Sequence, residues 1–211
     1  DILRGGNGNN TVLAGAGNDE IFLGDGDNYV DAGDGDDIVE AGEFGNGDNE
    51  IHGGAGDDDL SAGDGDNRVF AGIGNDVVDL GDGDNEVDGG DGDDEILVGD
   101  GDNVIRGGAG NDLIDALNGD NTIYGDDGDD IIIVGNGNNE IYGGAGDDDI
   151  ETGYGENYID AGDGDDFVTL DDGGAIVFGG AGNDDIWAYG GDNVIDAGDG
   201  DDIVETGDGD D

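Results

Sequence analysis

The chain has 211 residues, of which 60 are acidic and 3 are basic, and its formal net charge is −57. A polyanion of this strength is repelled by phosphate groups, so the composition excludes nucleic acid as a partner. The absence of cysteine excludes disulfide bonds and thiolate metal sites, and the longest aliphatic run, Ile131 to Val134, is far shorter than the about 20 residues needed to cross a bilayer.

A nine-residue repeat overrides the disorder that this composition would otherwise predict. The stretch from Gly89 to Arg106 shows the repeat twice, as GGDGDDEIL and VGDGDNVIR. Each copy is a six-residue loop followed by a three-residue strand. Glycine at loop positions two and four can take positive φ, which lets the chain reverse direction. The apolar residue at position eight is expected to point inward, so two copies make one full coil.

The whole chain, residues 1–211, is interpreted as one continuous repeat array. Residues Asp1 to Arg4 are read as the tail of a preceding repeat, with Ile2 in the inward position and one extra residue before Gly5. Regular repeats then cover residues 5–205, with a three-residue insertion at 43–45 that we expect to form a bulge, and with partial repeats at both ends. The inward residues at position eight are Val12, Ile21, Val30, Val39, Ile51, Leu60, Val69, Val78, Val87, Ile96, Ile105, Ile114, Ile123, Ile132, Ile141, Ile150, Ile159, Val168, Val177, Ile186, Ile195 and Val204.

Loop position six alternates between aspartate and asparagine. If two repeats form one coil, every aspartate lies on one edge, here called the Asp edge, and every asparagine on the other, the Asn edge. The Asp edge consists of Asp19, Asp37, Asp58, Asp76, Asp94, Asp112, Asp130, Asp148, Asp166, Asp184 and Asp202. The Asn edge consists of Asn10, Asn28, Asn49, Asn67, Asn85, Asn103, Asn121, Asn139, Asn157 and Asn193, with Ala175 as an interruption that predicts a vacant or poor site.

The loop from Gly53 to Asp58 with Leu60, and the loop from Gly107 to Asp112 with Ile114, resemble the calcium-binding nonapeptide of the RTX (repeats-in-toxin) family. The resemblance covers nearly the whole chain. It implies an all-β fold, a right-handed parallel β-roll (β-solenoid) with two nonapeptides per coil and about 11 coils. It also implies that calcium ions lie between loops one coil apart, held by the position-six aspartates and backbone carbonyls.

The residues point to calcium independently of the resemblance. Carboxylate and carbonyl oxygens without histidine or cysteine select Ca²⁺ over zinc, copper or iron. Stacked loops about 4.8 Å apart bring the carboxylates of Asp94 and Asp112 so close that an intervening cation is needed. Calcium therefore supplies the positive charge that the chain lacks, and the Asp edge is expected to bind it strongly.

Two hypotheses remain for the Asn edge. Either it binds calcium more weakly, with help from nearby aspartates, or its side chains hydrogen-bond to one another as an uncharged ladder. We expect the first. The nearby aspartates, at loop positions three and five, include Asp25, Asp27, Asp64, Asp66, Asp82 and Asp84.

No catalytic constellation is evident in the sequence. His52 is the only histidine, and Ser61, the only serine, has no base beside it. The repeated carboxylates show no environment that would separate their pKa values for acid and base roles. We therefore expect that this chain is not an enzyme.

Aromatic residues recur at the outward strand positions seven and nine, where they are expected to be exposed. They either bridge neighbouring strands or pack laterally against another chain. The aromatic residues at these positions include Phe22, Tyr29, Phe70, Tyr124, Tyr142, Tyr158, Phe167, Phe178 and Trp187.

The sequence predicts a calcium-stiffened structural module of a secreted or cell-surface fibre, adhesin or surface-layer protein, with an extracellular location. The alternative is the calcium-triggered secretion or folding domain of an RTX toxin or secreted hydrolase whose active domain lies outside this chain. Besides calcium ions, the chain itself is an expected partner, either laterally or end to end. Joining Thr206–Asp211 to Asp1–Leu3 would complete a nonapeptide, with Ile2 in the inward position.

Overall fold

The computed structural model describes residues 1–209 and 211, without the side chains of Glu43 and Phe44. The chain winds into a solenoid of parallel strands that form two facing sheets. The prediction of an all-β parallel β-roll with about 11 coils, each built from two nonapeptides, is confirmed. Among the described residues, no helix is long and apolar enough to span a membrane.

Odd-numbered strands form one sheet and even-numbered strands form the other. The first sheet contains β1 (Ile2–Arg4), β3 (Glu20–Leu23), β5 (Ile38–Asn46), β7 (Asp59–Asp64), β9 (Val77–Leu80), β11 (Glu95–Val98), β13 (Leu113–Ala116), β15 (Ile131–Val134), β17 (Asp149–Thr152), β19 (Phe167–Leu170), β21 (Asp185–Gly190) and β23 (Ile203–Asp208). The second contains β2 (Thr11–Ala16), β4 (Tyr29–Asp34), β6 (Glu50–Ala55), β8 (Arg68–Ile73), β10 (Glu86–Asp91), β12 (Val104–Ala109), β14 (Thr122–Asp127), β16 (Glu140–Ala145), β18 (Asn157–Asp163), β20 (Ala175–Ala181) and β22 (Val194–Asp199).

Strand register follows the repeat. Ile96 pairs with Val78 in the coil before it and with Ile114 in the coil after it, each two nonapeptides away. The insertion lengthens one coil, because Val39 pairs with Leu60 and not with Asp57, which lies two nonapeptides further on. The register of β5 against β7 shifts between Ala41 and Asn46, so the predicted bulge is confirmed for the backbone.

The first strand corrects one prediction. Leu3, not Ile2, pairs with the inward Ile21, whereas Ile2 pairs with Glu20 and is 64% exposed. Asp1 therefore stands at loop position six and Arg4 is not an extra residue. The register proposed for an end-to-end junction loses its basis, and Asp210 of that junction lies outside the described residues.

The core is a single column of apolar side chains between the sheets. Nineteen of the 22 predicted inward residues are buried; Val12 and Ile195 are partly buried, and Val204 is 41% exposed near the end of the array. Loop position one is a second inward position that sequence reasoning missed, and residues such as Ala32 and Val98 are buried there. A repeat thus contributes its position-eight side chain to the interior and, where position one is not glycine, a second side chain.

The loops of the two edges differ in backbone conformation. In the Asp-edge loop that ends at Asp94, both Gly90 (φ 112°) and Gly92 (φ 137°) lie in the left-handed region, as predicted for positions two and four. In the Asn-edge loop that ends at Asn103, only Gly101 (φ 154°) does. Asn-edge loops accordingly accept Leu117 and Tyr189 at position two. The second sheet's strands run on into the Asp-edge loops, so the two edges are built differently.

Candidate metal centre on the Asp edge

The position-six aspartates form one continuous buried column. Asp94 and Asp112 are each 2% exposed, and the other members from Asp19 to Asp184 are similarly buried. The register that stacks coils directly over one another brings these side chains together, as the sequence predicted. Asp202, near the end of the array, is only half-buried.

One carboxylate oxygen of each aspartate accepts a hydrogen bond from the preceding coil. Oδ1 of Asp94 accepts a hydrogen bond of 2.8 Å from the backbone N–H of Asp76, and Oδ1 of Asp112 accepts the same bond from Asp94. The interaction repeats along the column with distances of 2.7 to 3.0 Å. It orients every carboxylate the same way, so the second oxygen, Oδ2, recurs at the same place in each coil.

The Oδ2 atoms are buried and have no hydrogen-bond partner. A buried carboxylate oxygen without a donor or a cation is costly, because it has lost its hydration without compensation. Within the part of the chain that the structure describes, the ten aspartates concerned are Asp19, Asp37, Asp58, Asp76, Asp94, Asp112, Asp130, Asp148, Asp166 and Asp184.

A backbone carbonyl of the next coil lies close to each of several Oδ2 atoms. A Cβ added to Gly89 would come within 2.5 Å of both Asp94 Oδ2 and the carbonyl oxygen of Gly107. A Cβ added to Gly107 would meet Asp112 Oδ2 at 2.4 Å and the carbonyl oxygen of Gly125 at 2.9 Å. Each pair of oxygens therefore shares one small space that glycine leaves open.

Burial raises the pKa of these carboxyl groups. The main cause of the rise to about 7 at Asp94 is desolvation; the charges of Asp112 and Asp76 raise the pKa further, and the N–H of Asp76 opposes the rise. The pKa values of Asp112 and Asp148 are likewise raised to about 7, and that of Asp130 to about 6. Near neutral pH the column needs either protons or cations.

The oxygen set fits calcium. The described residues contain no group of three or more His, Cys, Asp or Glu side chains that could hold a metal. The oxygens near several of the Oδ2 atoms include carbonyls instead, and a mixture of carboxylate and carbonyl oxygens suits a hard cation that takes six to eight oxygen ligands. The position-six aspartates are the side chains that would hold it.

The Asn edge has a different arrangement. The Nδ2 of Asn85 donates a 3.0 Å hydrogen bond to Oδ1 of Asn103, whose own Nδ2 donates a 2.9 Å bond to Asn121. This ladder is continuous from Asn10 to Asn157, including the step from Asn28 to Asn49 across the insertion. Of the two sequence-based hypotheses for this edge, the geometry favours the uncharged ladder.

The ladder stops where the sequence predicts an interruption. Ala175 offers no amide, and Asn157 turns its Nδ2 to Thr152 and to the carbonyl of Gly153. Asn193 accepts a hydrogen bond from the backbone N–H of Ala175.

The neighbouring aspartates at loop positions three and five of the Asn edge face solvent. Asp82 and Asp84 are exposed, and their Oδ1 atoms accept backbone N–H groups of Asp100 and Asp102 at 2.9 Å. These aspartates form outer columns whose hydrogen bonds connect successive coils, and their side chains do not converge on the buried asparagines.

The outward aromatic residues stack mainly on one another. Tyr124 and Tyr142 are parallel with ring centroids 5.0 Å apart, and Tyr158 and Phe178 continue the row at 5.8 Å spacings. Most of these rings are half-buried by their neighbours, so the prediction that each is exposed is wrong for most of them. The geometry favours the strand-bridging explanation of the aromatic rows.

Comparison with known protein families gives a match for these repeats. The model of the RTX calcium-binding nonapeptide repeat, which contains four copies, matches most of the chain in ten segments, many of which overlap. No individual curated protein matches the chain. The matched segments are residues 4–39, 45–78, 61–96, 79–114, 88–123, 97–132, 106–141, 124–156, 142–177 and 178–211.

Proposed function

Because the chain belongs to the RTX calcium-binding nonapeptide repeat family, we propose that it is a calcium-stiffened structural roll of a secreted or cell-surface fibre, adhesin or surface-layer protein. Calcium binds along the Asp edge, and folding depends on it. The observation that carries the proposal is the column of ten buried Oδ2 atoms without partners among the described residues.

The position-six aspartates hold the ions together with backbone carbonyls of the adjoining coil. In the loop that ends at Asp94, these are Oδ2 of Asp94 and the carbonyl of Gly107, which glycine at position 89 leaves accessible. When bound, calcium supplies positive charge where ordered carboxylates would otherwise repel one another. Because each site joins groups from two coils, occupancy along the whole edge resists bending and separation of the coils.

The uniformity of the column supports a structural role. From Asp37 to Asp184, each buried aspartate receives the same backbone hydrogen bond from the preceding coil and has the same orphan oxygen, whereas Asp19 accepts its bond from the terminal ammonium group of Asp1. Acid and base catalysis needs carboxylates whose environments push their pKa values apart. The raised pKa values along this edge instead cluster at about 6 to 7.

Circular dichroism of the purified chain tests the proposal. In EDTA at neutral pH we expect the spectrum of a disordered chain, and on addition of calcium to about millimolar levels, typical of extracellular sites, a cooperative gain of β structure. Sodium chloride of equal ionic strength is the control for general charge screening. A fully folded chain in EDTA would overturn the proposal.

A further inference from the structure

We infer that the Asn edge is a metal-free clamp and that calcium binds to the Asp edge alone. The inference rests on the proposed calcium binding and goes beyond it, because it assigns the two edges of each coil opposite chemistry. On the Asn edge, amide hydrogen bonds join successive coils; on the Asp edge, cations join them.

The amide orientation on the Asn edge is set by the backbone. The N–H of Asn85 donates a 3.0 Å hydrogen bond to a side-chain atom of Asn103, which must therefore be the acceptor Oδ1. The other terminal atom is then the NH₂ group, and it faces the next asparagine. The same backbone bond recurs along the column, so the ladder has one direction throughout.

Nδ2 donors occupy the loop carbonyls on this edge. The Nδ2 of Asn103 donates to the carbonyls of Gly101 at 2.9 Å and Gly99 at 3.3 Å within its own loop. Asn85 does the same with Gly83 and Gly81. A cation here would meet N–H groups where the Asp edge presents an unpartnered oxygen, and it would have to displace several hydrogen bonds.

The interior behind the two edges differs as well. Loop position one on the Asp edge is glycine or alanine, and at Gly89 and Gly107 the open space adjoins Oδ2. The same position on the Asn edge holds a buried Leu or Val in several coils, as at Leu80, Val98 and Val134. Apolar side chains thus occupy the inner position that the Asp edge keeps small.

Loop shape gives a further distinction. Asp-edge loops have left-handed backbone at positions two and four, whereas the Asn-edge loops without an insertion have it at most at position four; the loop with the insertion has it at Gly42 (φ 65°), in position two. The carbonyl groups of the two loops therefore point differently, and replacing Asn with Asp would not by itself reproduce the Asp-edge site.

Counting bound calcium on the intact chain tests the inference. Native mass spectrometry and equilibrium dialysis of the folded chain in excess calcium should give about ten ions, one for each orphan Oδ2. About twenty ions would show that both edges bind, which would overturn the inference and leave the proposed function standing. No bound calcium would overturn both.

Paired variants locate the ions without relying on the total. Asn85→Ala with Asn103→Ala removes two ladder amides and should leave the ion count unchanged; the natural Ala175 shows that this column accommodates alanine. The matched change on the other edge, Asp94→Asn with Asp112→Asn, should lower the count by at least two. A loss of two ions from the alanine pair, with circular dichroism unchanged in calcium, would contradict a metal-free Asn edge.

Discussion

At the residue scale, the carboxylate and the amide at loop position six differ in how their buried polar atoms find partners. Both accept a backbone N–H from the preceding coil through Oδ1, as Asp94 and Asn103 show. The second atom differs: Nδ2 of Asn103 finds acceptors within the protein, whereas Oδ2 of Asp94 finds no donor. An uncompensated buried oxygen costs roughly 1–3 kcal/mol or more when charged, so this one-atom difference is the reason why we propose a cation on the Asp edge and none on the Asn edge.

The buried aspartates predict acid-induced folding without calcium. Their pKa values are raised from 3.8 to about 7 at Asp58, Asp94 and Asp112, mainly by burial, so the folded state retains protons that the unfolded state releases. This stability is fully present below pH 3.8 and is lost as the pH rises through about 7. In EDTA, β structure measured by circular dichroism should therefore be greater at pH 5 than at pH 8. A spectrum in EDTA that does not change with pH, at high salt to screen exposed charges, would contradict this account.

Asp126 is strained and offers a stabilising substitution. It is the one non-glycine residue with positive φ, 79°, among the described residues, and it stands at position two of an Asp-edge loop between Gly108 and Gly144. Asp126→Gly should raise the stability in calcium by about 1 kcal/mol, because left-handed backbone costs roughly 1–2 kcal/mol for other residues. The exposed ion pair with Arg106 that is lost contributes little.

Thermal unfolding in saturating calcium measures the effect. Leu117→Gly, at position two of an Asn-edge loop where positive φ is not adopted, is the control and should not stabilise. Equal gains from both substitutions would show that backbone strain at Asp126 is not the cause.

At the element scale, one loop and one strand can be predicted from the repeat, but their three-dimensional differences cannot. The inward position eight and the register of two nonapeptides per coil follow from β-branched residues at a fixed period, and both are confirmed at Ile96 and Ile114. Loop position one was missed as an inward position, because it is glycine or alanine on the whole Asp edge and in part of the Asn edge, so Leu or Val recurs there only in some coils. Leu3 was misplaced by one residue, since Ile2 and Leu3 are both apolar and only strand pairing distinguishes them.

The residue size at loop position one predicts a second difference between the Asp edge and the Asn edge. Gly107→Val should destabilise the folded chain by about 1–3 kcal/mol through overpacking and should weaken calcium binding, because its side chain enters the space beside Asp112 Oδ2. Ala116→Val is the matched control on the Asn edge, where both neighbours in the column, Val98 and Val134, are already valine. Unfolding in calcium should show a clear loss of stability for the first variant and little change for the second; equal losses would show that the space beside Asp112 Oδ2 is not needed for calcium.

At the scale of the whole molecule, the net negative charge opposes folding. A net charge of −57 on 211 residues opposes compaction, and the ordered Asp column concentrates part of that charge inside the protein. The alternation of Asp and Asn made two chemically distinct edges predictable from sequence. The ladder was the hypothesis that the sequence did not favour, because a repeat pattern does not show which acceptors an amide reaches.

Magnesium should not replace calcium in folding the chain. It requires near-ideal octahedral geometry and loses water reluctantly, whereas the loops offer carbonyls and carboxylates in positions fixed by the coil spacing. Circular dichroism in magnesium at the concentration that saturates folding in calcium should resemble that in EDTA. Equal β structure in the two cations would mean that general charge neutralisation, and not a fitted oxygen site, drives folding.

Small-angle X-ray scattering in calcium and in EDTA at neutral pH tests the central claim, that cations along the Asp edge make this polyanion fold. In calcium we expect a radius of gyration of about 17 Å, that of a compact chain of this length, and in EDTA a value of about 50 Å, that of an unfolded one. Asp94→Asn with Asp112→Asn should need more calcium to reach the compact value than Asn85→Ala with Asn103→Ala. A radius of gyration in EDTA as small as that in calcium would contradict the account.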